Sequence, residues 1–441
     1  MSGQKLRQLG ELEKLNATKN FLGMDTCIAL SARYSHAPNT PLTKKILFPA
    51  LRTLIASHPM LGVRFDGKLD SADIAFFRLP SVDLSRVVEF SQETNLQAAL
   101  EKWFNRRFQD SEEDMPLWRV EVLADNTLIF AMHHAMGDGI ALVAFHRSLL
   151  RALQQQAASD FSSVVAVPAQ PIPPPVEVAM DVRPSLWKRL GSLYDTYIPG
   201  YWKQSTYAWT GNPNPTSIAL HTHVRLLRFA PSDMKKLTLH CRTHGATVSS
   251  VLYELGVISL SRLISNQPDA AKYKSICLAV PMSLRSAAGA SDDSICYYSA
   301  SVDTYPALHT EFSWASAARV TAELKGHKKD VHQGLGFLAA IAQNYTAVMR
   351  GSLGGRRSQG LRISNVGRFV VGVEGPSEWS LGECFFGQCD SVVGAAMTMN
   401  VVGDPSGALH LTIVWGDKSL DTAFVEGFIE LFNESFAGLV A

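Results

Sequence analysis

Residues 117–150 read LWRVEVLADNTLIFAMHHAMGDGIALVAFHRSLL. Trp118 to Leu123 and Thr127 to Met132 are short apolar, partly β-branched runs, and Ala124-Asp125-Asn126 between them supplies turn chemistry, which together predicts a β-hairpin. HHAMGDG follows at 133–139, and from Ile140 a glycine-free apolar run predicts a helix ending near Gln154 to Gln156. Two histidines, an aspartate and two glycines therefore share a tight strand-to-helix connection, where a loop carries chemistry on a rigid frame. Imidazole titrates nearest neutrality, so a positioned His takes a proton from a hydroxyl and returns it. Asp138 stands between glycines that let the backbone fold back sharply. Its carboxylate either caps N–H groups at the helix start or pairs with a cation from elsewhere. An isolated HxxxD spacing arises readily by chance and reads as hairpin-end histidines beside a helix cap. The full HHxxxDG between a strand and a helix reverses that preference.

Around this stretch, the 441 residues exceed what one core usually holds, so two domains are expected. With 46% hydrophobic and 18% charged residues and a formal net charge of +1, the chain is ordinary globular protein and no nucleic-acid partner is expected. Six cysteines (Cys27, Cys241, Cys277, Cys296, Cys384, Cys389) form no C-x-x-C pair, so neither a disulfide framework nor a zinc site is implied. His-x-His at 221–223 has no third ligand nearby in sequence, and no metal is assigned. Met1 to Asn20 lacks an apolar h-region and no apolar run reaches membrane-spanning length, so a cytoplasmic monomer without a transmembrane segment is expected.

Residues 1–165 read as a first domain. Lys5 to Leu15 is helical in pattern and Asp25 to Tyr34 a strand. Thr43 to Ser57 is a helix stopped by His58-Pro59, with Pro49 either kinking it or marking a later start. Leu61 to Phe65 and Ile74 to Leu79 add strands, and Leu96 to Phe108 a helix. Residues 166–215 read as a crossover, because the proline density of VPAQPIPPPVEVAMDVRP at 167–184 excludes a sheet or helix interior. Within it, SLWKRLGSLYDTYIPGYWKQSTYAWTG holds three tryptophans and four tyrosines. Those rings either line a substrate mouth or lie peripherally on a membrane surface, or they belong to a helix packed on the second domain; the scarcity of Lys and Arg favours packing. Residues 216–441 read as the second domain. Its strands are Val224 to Phe229, Ser275 to Pro281, Leu361 to Ser364, Arg368 to Gly372 and a hairpin over Ala395 to Trp415. Its helices are Asp233 to His240, Thr247 to Leu263, Trp314 to Lys325 and Asp421 to Phe436. Alternation in both halves predicts an α/β protein of two sandwiches.

HHxxxDG at 133–139 is followed by further ordered motifs: HGATVSSVLYELGVISL at 244–260, PMSLR at 281–285 and SNVG at 364–367. LRQLGELEKLNATKNFLG at 6–23 and SHPML at 57–61 precede it. Together they resemble the CoA-dependent acyltransferases of the chloramphenicol acetyltransferase-like fold, most of all the fungal alcohol acetyltransferases. Plant BAHD acyltransferases and peptide-synthetase condensation domains are more distant relatives. HHxxxDG is specific alone; the other motifs gain weight from order and spacing. The resemblance implies two chloramphenicol acetyltransferase-like α/β sandwich domains with the active site in a tunnel at their interface. It further implies an acyl-CoA-dependent O-acyltransferase, with acetyl-CoA or a short acyl-CoA as cosubstrate, no permanently bound cofactor, and a hydrophobic hydroxylated natural product (terpenoid or polyketide) as acceptor.

The same resemblance assigns roles. His134 is the general base of a ternary-complex mechanism, and no G-x-S-x-G nucleophile elbow competes with it. His133 is structural. Asp138 points away from substrate and pairs with Arg285. Gly139 stands where a side chain would crowd the loop, and Gly137 adds backbone freedom. Ser364 and Asn365 are candidates for holding the oxyanion, a strand-end turn being an equally good account. Arg356 and Arg357, in GSLGGRRSQG at 351–360, meet CoA phosphates or else lie in a solvated loop. The BAHD motif DFGWG has no counterpart, the nearest region being FFGQCDSVVG at 385–394. Two other readings stand: the same histidine used for condensation, cyclisation or isomerisation without CoA, and a non-catalytic small-molecule binder.

Overall fold

Trp118–Val122 and Thr127–Met132 pair antiparallel, and Asn126 closes the turn at φ 64°, a left-handed conformation that Asn tolerates. The helix after the loop, Gly139–Gln154, buries Leu142, Phe145, Leu149 and Leu153 along one face, the spacing expected of an amphipathic helix. The computed structural model describes residues 4–37, 40–67, 74–108, 114–155, 162–338, 344–370 and 378–441.

Two sheets organise the molecule. In chain order their strands are β1 (Ile28–His36), β2 (Val88–Phe90), β3 (Trp118–Val122), β4 (Thr127–Met132), β5 (Thr222–Phe229), β6 (Leu278–Ser283), β7 (Ser299–Thr304), β8 (Leu361–Arg368), β9 (Trp379–Gln388), β10 (Met397–Gly403) and β11 (Leu409–Gly416). The five-stranded sheet runs β9-β1-β4-β3-β2 and the six-stranded sheet β5-β11-β10-β8-β6-β7. β9 lies within residues 216–441, read as the second domain, yet it crosses back and pairs antiparallel with β1 from Trp379–His36 to Gln388–Ile28. The first sheet is thus completed by the second half of the chain. Phe385 of β9 packs with Ile129 and Val414 in one cluster that joins both sheets.

Five helices frame the site or flank it: α1 (Glu11–Phe21), α2 (Lys44–Ser57), α3 (Gly139–Gln154), α4 (Leu186–Tyr197) and α5 (Val248–Ser265). The helical reading of Lys5 to Leu15 is corrected: Gln4–Gln8 is a strand paired with Ala75–Arg78, and α1 starts only after Gly10. Gly10 is extended and its N–H is accepted by Glu13, which Arg7 clasps through two bonds, so the chain turns there before coiling. α2 starts before Pro49 and runs through it. α5 is long and apolar enough to cross a membrane, but it is mostly buried within the fold as a core helix. Leu361–Arg368 is one strand where the sequence suggests two short ones, and residues 371 and 372 lie outside the described residues.

The aromatic segment departs most from expectation. α4 carries Leu186, Trp187, Leu190, Leu193, Tyr194 and Tyr197 on one continuous arc, and all are exposed, Trp187 by 81% and Tyr197 by 82%. The helix is not packed on the second domain through its rings. It is held from its polar side, by Lys188 Nζ on the Asp330 carbonyl at 3.0 Å and Gln333 Oε1 on the Ser185 N–H at 3.0 Å.

Candidate active site

The 133–139 loop faces a cavity of about 280 Å³ at the seam between the halves, lined by α1, the loop itself, and residues of β6 to β9. His134 reaches it, half-buried rather than sealed. Its Nδ1 lies 3.0 Å from the Gly137 carbonyl. A carbonyl only accepts, so Nδ1 carries the proton and Nε2 keeps its lone pair. Burial lowers the pKa of this imidazole from its ordinary 6.5, partly countered by the Gly137 carbonyl, so the ring is neutral at neutral pH. Its plane leans on Tyr297, with ring centroids 4.9 Å apart.

His133 points the other way. It is 1% exposed, its Nδ1 accepts the Ala135 N–H at 3.0 Å, and its edge meets Phe65 at 4.9 Å between centroids. Burial, and then the neighbouring His134, push its pKa down to about 3. It is a neutral core residue.

Asp138 braces the loop through both oxygens. Oδ1 accepts the Ile140 and Ala141 N–H groups at 3.1 and 3.2 Å, capping α3, while Oδ2 accepts Arg285 Nη1 at 2.6 Å and the Tyr298 N–H at 3.0 Å. Both alternatives read from the sequence, the cap and the cation, hold at once. Arg285 spends its remaining Nη2 on the Ser294 and Cys296 carbonyls at 3.3 and 2.9 Å. The pair is almost fully buried, with side-chain exposures of 1% and 6%, and it ties the loop of one half to the β6–β7 connection of the other.

The glycines are explained by space. A Cβ on Gly139 would lie 2.5 Å from Val366 Cγ1 and 2.9 Å from Phe386 Cζ, the close approach of β8 and β9. One on Gly137 would lie 2.6 Å from the Ala141 Cβ. Gly137 has no positive φ, so crowding rather than backbone freedom accounts for it.

Ser364 and Asn365 line the cavity from β8. Asn365 is committed to structure: its Nδ2 donates to Ser249 at 2.9 Å and its Oδ1 accepts the Gly367 N–H at 2.8 Å, closing a turn in which Gly367 takes φ +82°. For Asn365 the strand-end turn is the better account. The Ser364 hydroxyl has no partner among the described residues and is free to donate into the cavity.

Arg356 and Arg357 lie outside this cavity, and both guanidiniums are engaged with backbone carbonyls. Arg357 is 3% exposed and donates to the Val392 and Gly394 carbonyls at 3.1 and 3.3 Å. Arg356 binds the Ser205 carbonyl at 2.6 Å and that of Ala208, in a separate pocket. Their guanidiniums hold chain segments together. Asp417 supplies His221 and His223 with the third group that their local sequence lacks. One ligand atom from each lies within 4.8 Å of the others at the surface, and the three meet as histidine–carboxylate contacts.

Sequence reasoning passed over Lys19, Asp25, Tyr297 and Arg362, all on the cavity wall. Arg362 stands two residues before Ser364 in LRISNVG, where strand alternation puts it on the same face; that was the available signal. Lys19 has none, because a helix lysine usually faces solvent.

Residues 88–436 match the family described as alcohol acetyltransferase. The chain is similar to the probable alcohol acetyltransferase crmB of Aspergillus fumigatus, 25% identical over 463 residues that cover 94% of this chain and 96% of that protein. Among solved structures it is similar to TRI3, the trichothecene 15-O-acetyltransferase of Fusarium sporotrichioides, at TM-score 0.72 and 14% identity over 99% of this chain and 95% of that one. The condensation domain of the Monacolin K polyketide synthase MokA gives TM-score 0.62 at 12% identity, covering 100% and 98%. These two likenesses show the fold, the two-domain chloramphenicol acetyltransferase-like architecture.

Proposed function

The chain belongs to the alcohol acetyltransferase family and is an acyltransferase, and from that premise we propose that it moves an acetyl or short acyl group from acyl-CoA to the hydroxyl of a hydrophobic natural product, a terpenoid or polyketide. Both substrates bind together in the seam. The acceptor O–H gives its proton to His134 Nε2 as its oxygen attacks the thioester carbon. The tetrahedral intermediate collapses, the C–S bond breaks, and the proton passes from Nε2 to the departing thiolate. Ser364 supplies a hydroxyl to the developing oxyanion. Asp138 and Arg285 hold the loop so that the ring keeps its aim.

The observation that carries this reading is the Nδ1 contact to the Gly137 carbonyl, which leaves a half-buried, neutral imidazole on the cavity wall with Nε2 as its basic nitrogen. The test is incubation with acetyl-CoA and a panel of alcohols, read as free thiol. The wild-type chain releases thiol with at least one acceptor, and His134→Ala does so about 10²–10⁴-fold more slowly with an unchanged circular dichroism spectrum. No thiol with any acceptor refutes the reading.

We further propose a cytoplasmic enzyme that touches a lipid surface through α4. The exposed arc of Leu, Trp and Tyr side chains beside Lys188 and Arg189 supports this. So does position: Asp330, which anchors Lys188, precedes the Val331–Phe337 turn whose Leu335 lines the cavity. An apolar acceptor dissolved in lipid then meets the seam directly. In co-sedimentation with phosphatidylcholine–phosphatidylserine vesicles, the wild type pellets and Trp187→Ser with Tyr197→Ser remains in solution. A wild type that stays in the supernatant contradicts the contact.

A further inference from the structure

Two cations line the cavity with no bonded partner among the described residues. Lys19 comes from α1 in the first half and Arg362 from β8 in the second, and both line the wall that His134 faces. Both are half-buried in the fold and line that cavity. Among the described residues neither side chain makes a hydrogen bond or an ion pair. Other interior arginines here behave differently: Arg285 has Asp138 and two carbonyls, and Arg357 has two carbonyls.

Carboxylates are near enough to be felt without satisfying the pair. Asp25 acts on Lys19, and Asp303 and Asp390 on Arg362. Asp303 is held instead by Gln359 Nε2 at 3.2 and 3.3 Å. Burial disfavours the charged form of each, and at Lys19 the like charge of Arg362 adds to that effect. An unpaired guanidinium and an unpaired ammonium in one cavity are costly to the free protein, and an anion entering between them removes the cost. A guanidinium fork suits a planar carboxylate, and an ammonium adds a point charge from the side.

Position narrows the anion's source. Lys19 is felt at His134 itself, and Arg362 interacts with Tyr297, whose ring lies 4.9 Å from that of His134, so both cations stand towards the reacting end of the cavity. The phosphates of CoA are a full pantetheine arm away from the thioester. We propose that Lys19 and Arg362 form a subsite for a carboxylate carried by one of the two substrates, as a hydroxy-acid acceptor or as the distal acid of a dicarboxylic acyl group. This rests on the acyl-transfer reading and narrows its substrate class.

The test pairs each acid with its neutral counterpart. One arm compares 6-hydroxyhexanoate with 1-hexanol, using acetyl-CoA. The other compares succinyl-CoA with butyryl-CoA, using 1-hexanol. In one arm the wild type favours the acid by about tenfold or more in kcat/KM, as expected for a charge-assisted contact. Arg362→Gln and Lys19→Met bring that ratio towards one, and Arg362→Lys retains part of it. A wild-type ratio near one in both arms, or a ratio the variants leave in place, overturns the subsite. Absence of thiol in every combination is instead a failure of acyl transfer. The subsite is then judged by melting: 6-hydroxyhexanoate raises the midpoint of the wild type and not of Arg362→Gln, and no rise in the wild type overturns it.

Discussion

His133 and His134 are neighbours in the chain and opposites in the molecule. His133 sits in the sealed core of the first half, 1% exposed, with its Nδ1 spent on the Ala135 N–H. His134 reaches the seam, with its Nδ1 tied back by the Gly137 carbonyl and its other nitrogen in the cavity. The chemistry of the side chain is the same in both places. Environment divides the work, one ring serving stability and the other proton transfer.

The sharpest way to break that division is to exchange the losses. His134→Ala lowers kcat/KM by about 10²–10⁴-fold while leaving the melting midpoint near the wild-type value. Parallel steady-state and thermal melts read it, and a variant with full activity ends the assignment. Next in size is Asp138→Asn, which leaves the buried Arg285 charge without its counter-ion and costs on the order of 3–5 kcal/mol in denaturant unfolding. An unchanged unfolding midpoint would remove the bracing role.

The core side of the comparison has its own signature. His133→Leu orphans the Ala135 N–H and costs about 1–3 kcal/mol, with kcat/KM held within about tenfold if its role is packing. It also changes a pH slope. The unfolded chain protonates this ring near 6.5, whereas the folded one resists until about 3. The unfolded state therefore binds more protons between those values, and stability falls as pH falls across that window. His133→Leu flattens that fall, as urea melts at several pH values will read. The smallest effect is at Arg356, where Arg356→Ala leaves the KM for acetyl-CoA within about twofold, because its guanidinium is engaged with backbone carbonyls away from the seam. A large rise in that KM would return Arg356 to the donor site.

What could be read from residues alone depended on the range of the forces involved. The 118–132 hairpin and α3 were legible because alternation, a turn-forming Asp-Asn and an aspartate cap are local. The Asp138–Arg285 pair was legible only through resemblance, since 147 positions separate the partners. β9 was hidden because an apolar strand gives no sign of which sheet edge it will join. Arg357 looked like a solvated loop cation because the carbonyls that bury it belong to Val392 and Gly394, far along the chain. α4 was amphipathic in sequence, but amphipathicity does not say whether a partner covers the apolar arc. Lys19 and Arg362 were invisible for the same reason: a charge is normally a surface residue until a cavity surrounds it.

The most direct measurement is the nitrogen NMR spectrum of the histidine rings, with His134 assigned by comparison with His134→Gln. The account predicts a neutral ring protonated on Nδ1, with Nε2 bare, titrating below 6.5 because burial opposes the charge, and with Nε2 perturbed when an alcohol acceptor is added. A ring protonated on Nε2 at neutral pH, or one that acceptors leave untouched, would contradict it.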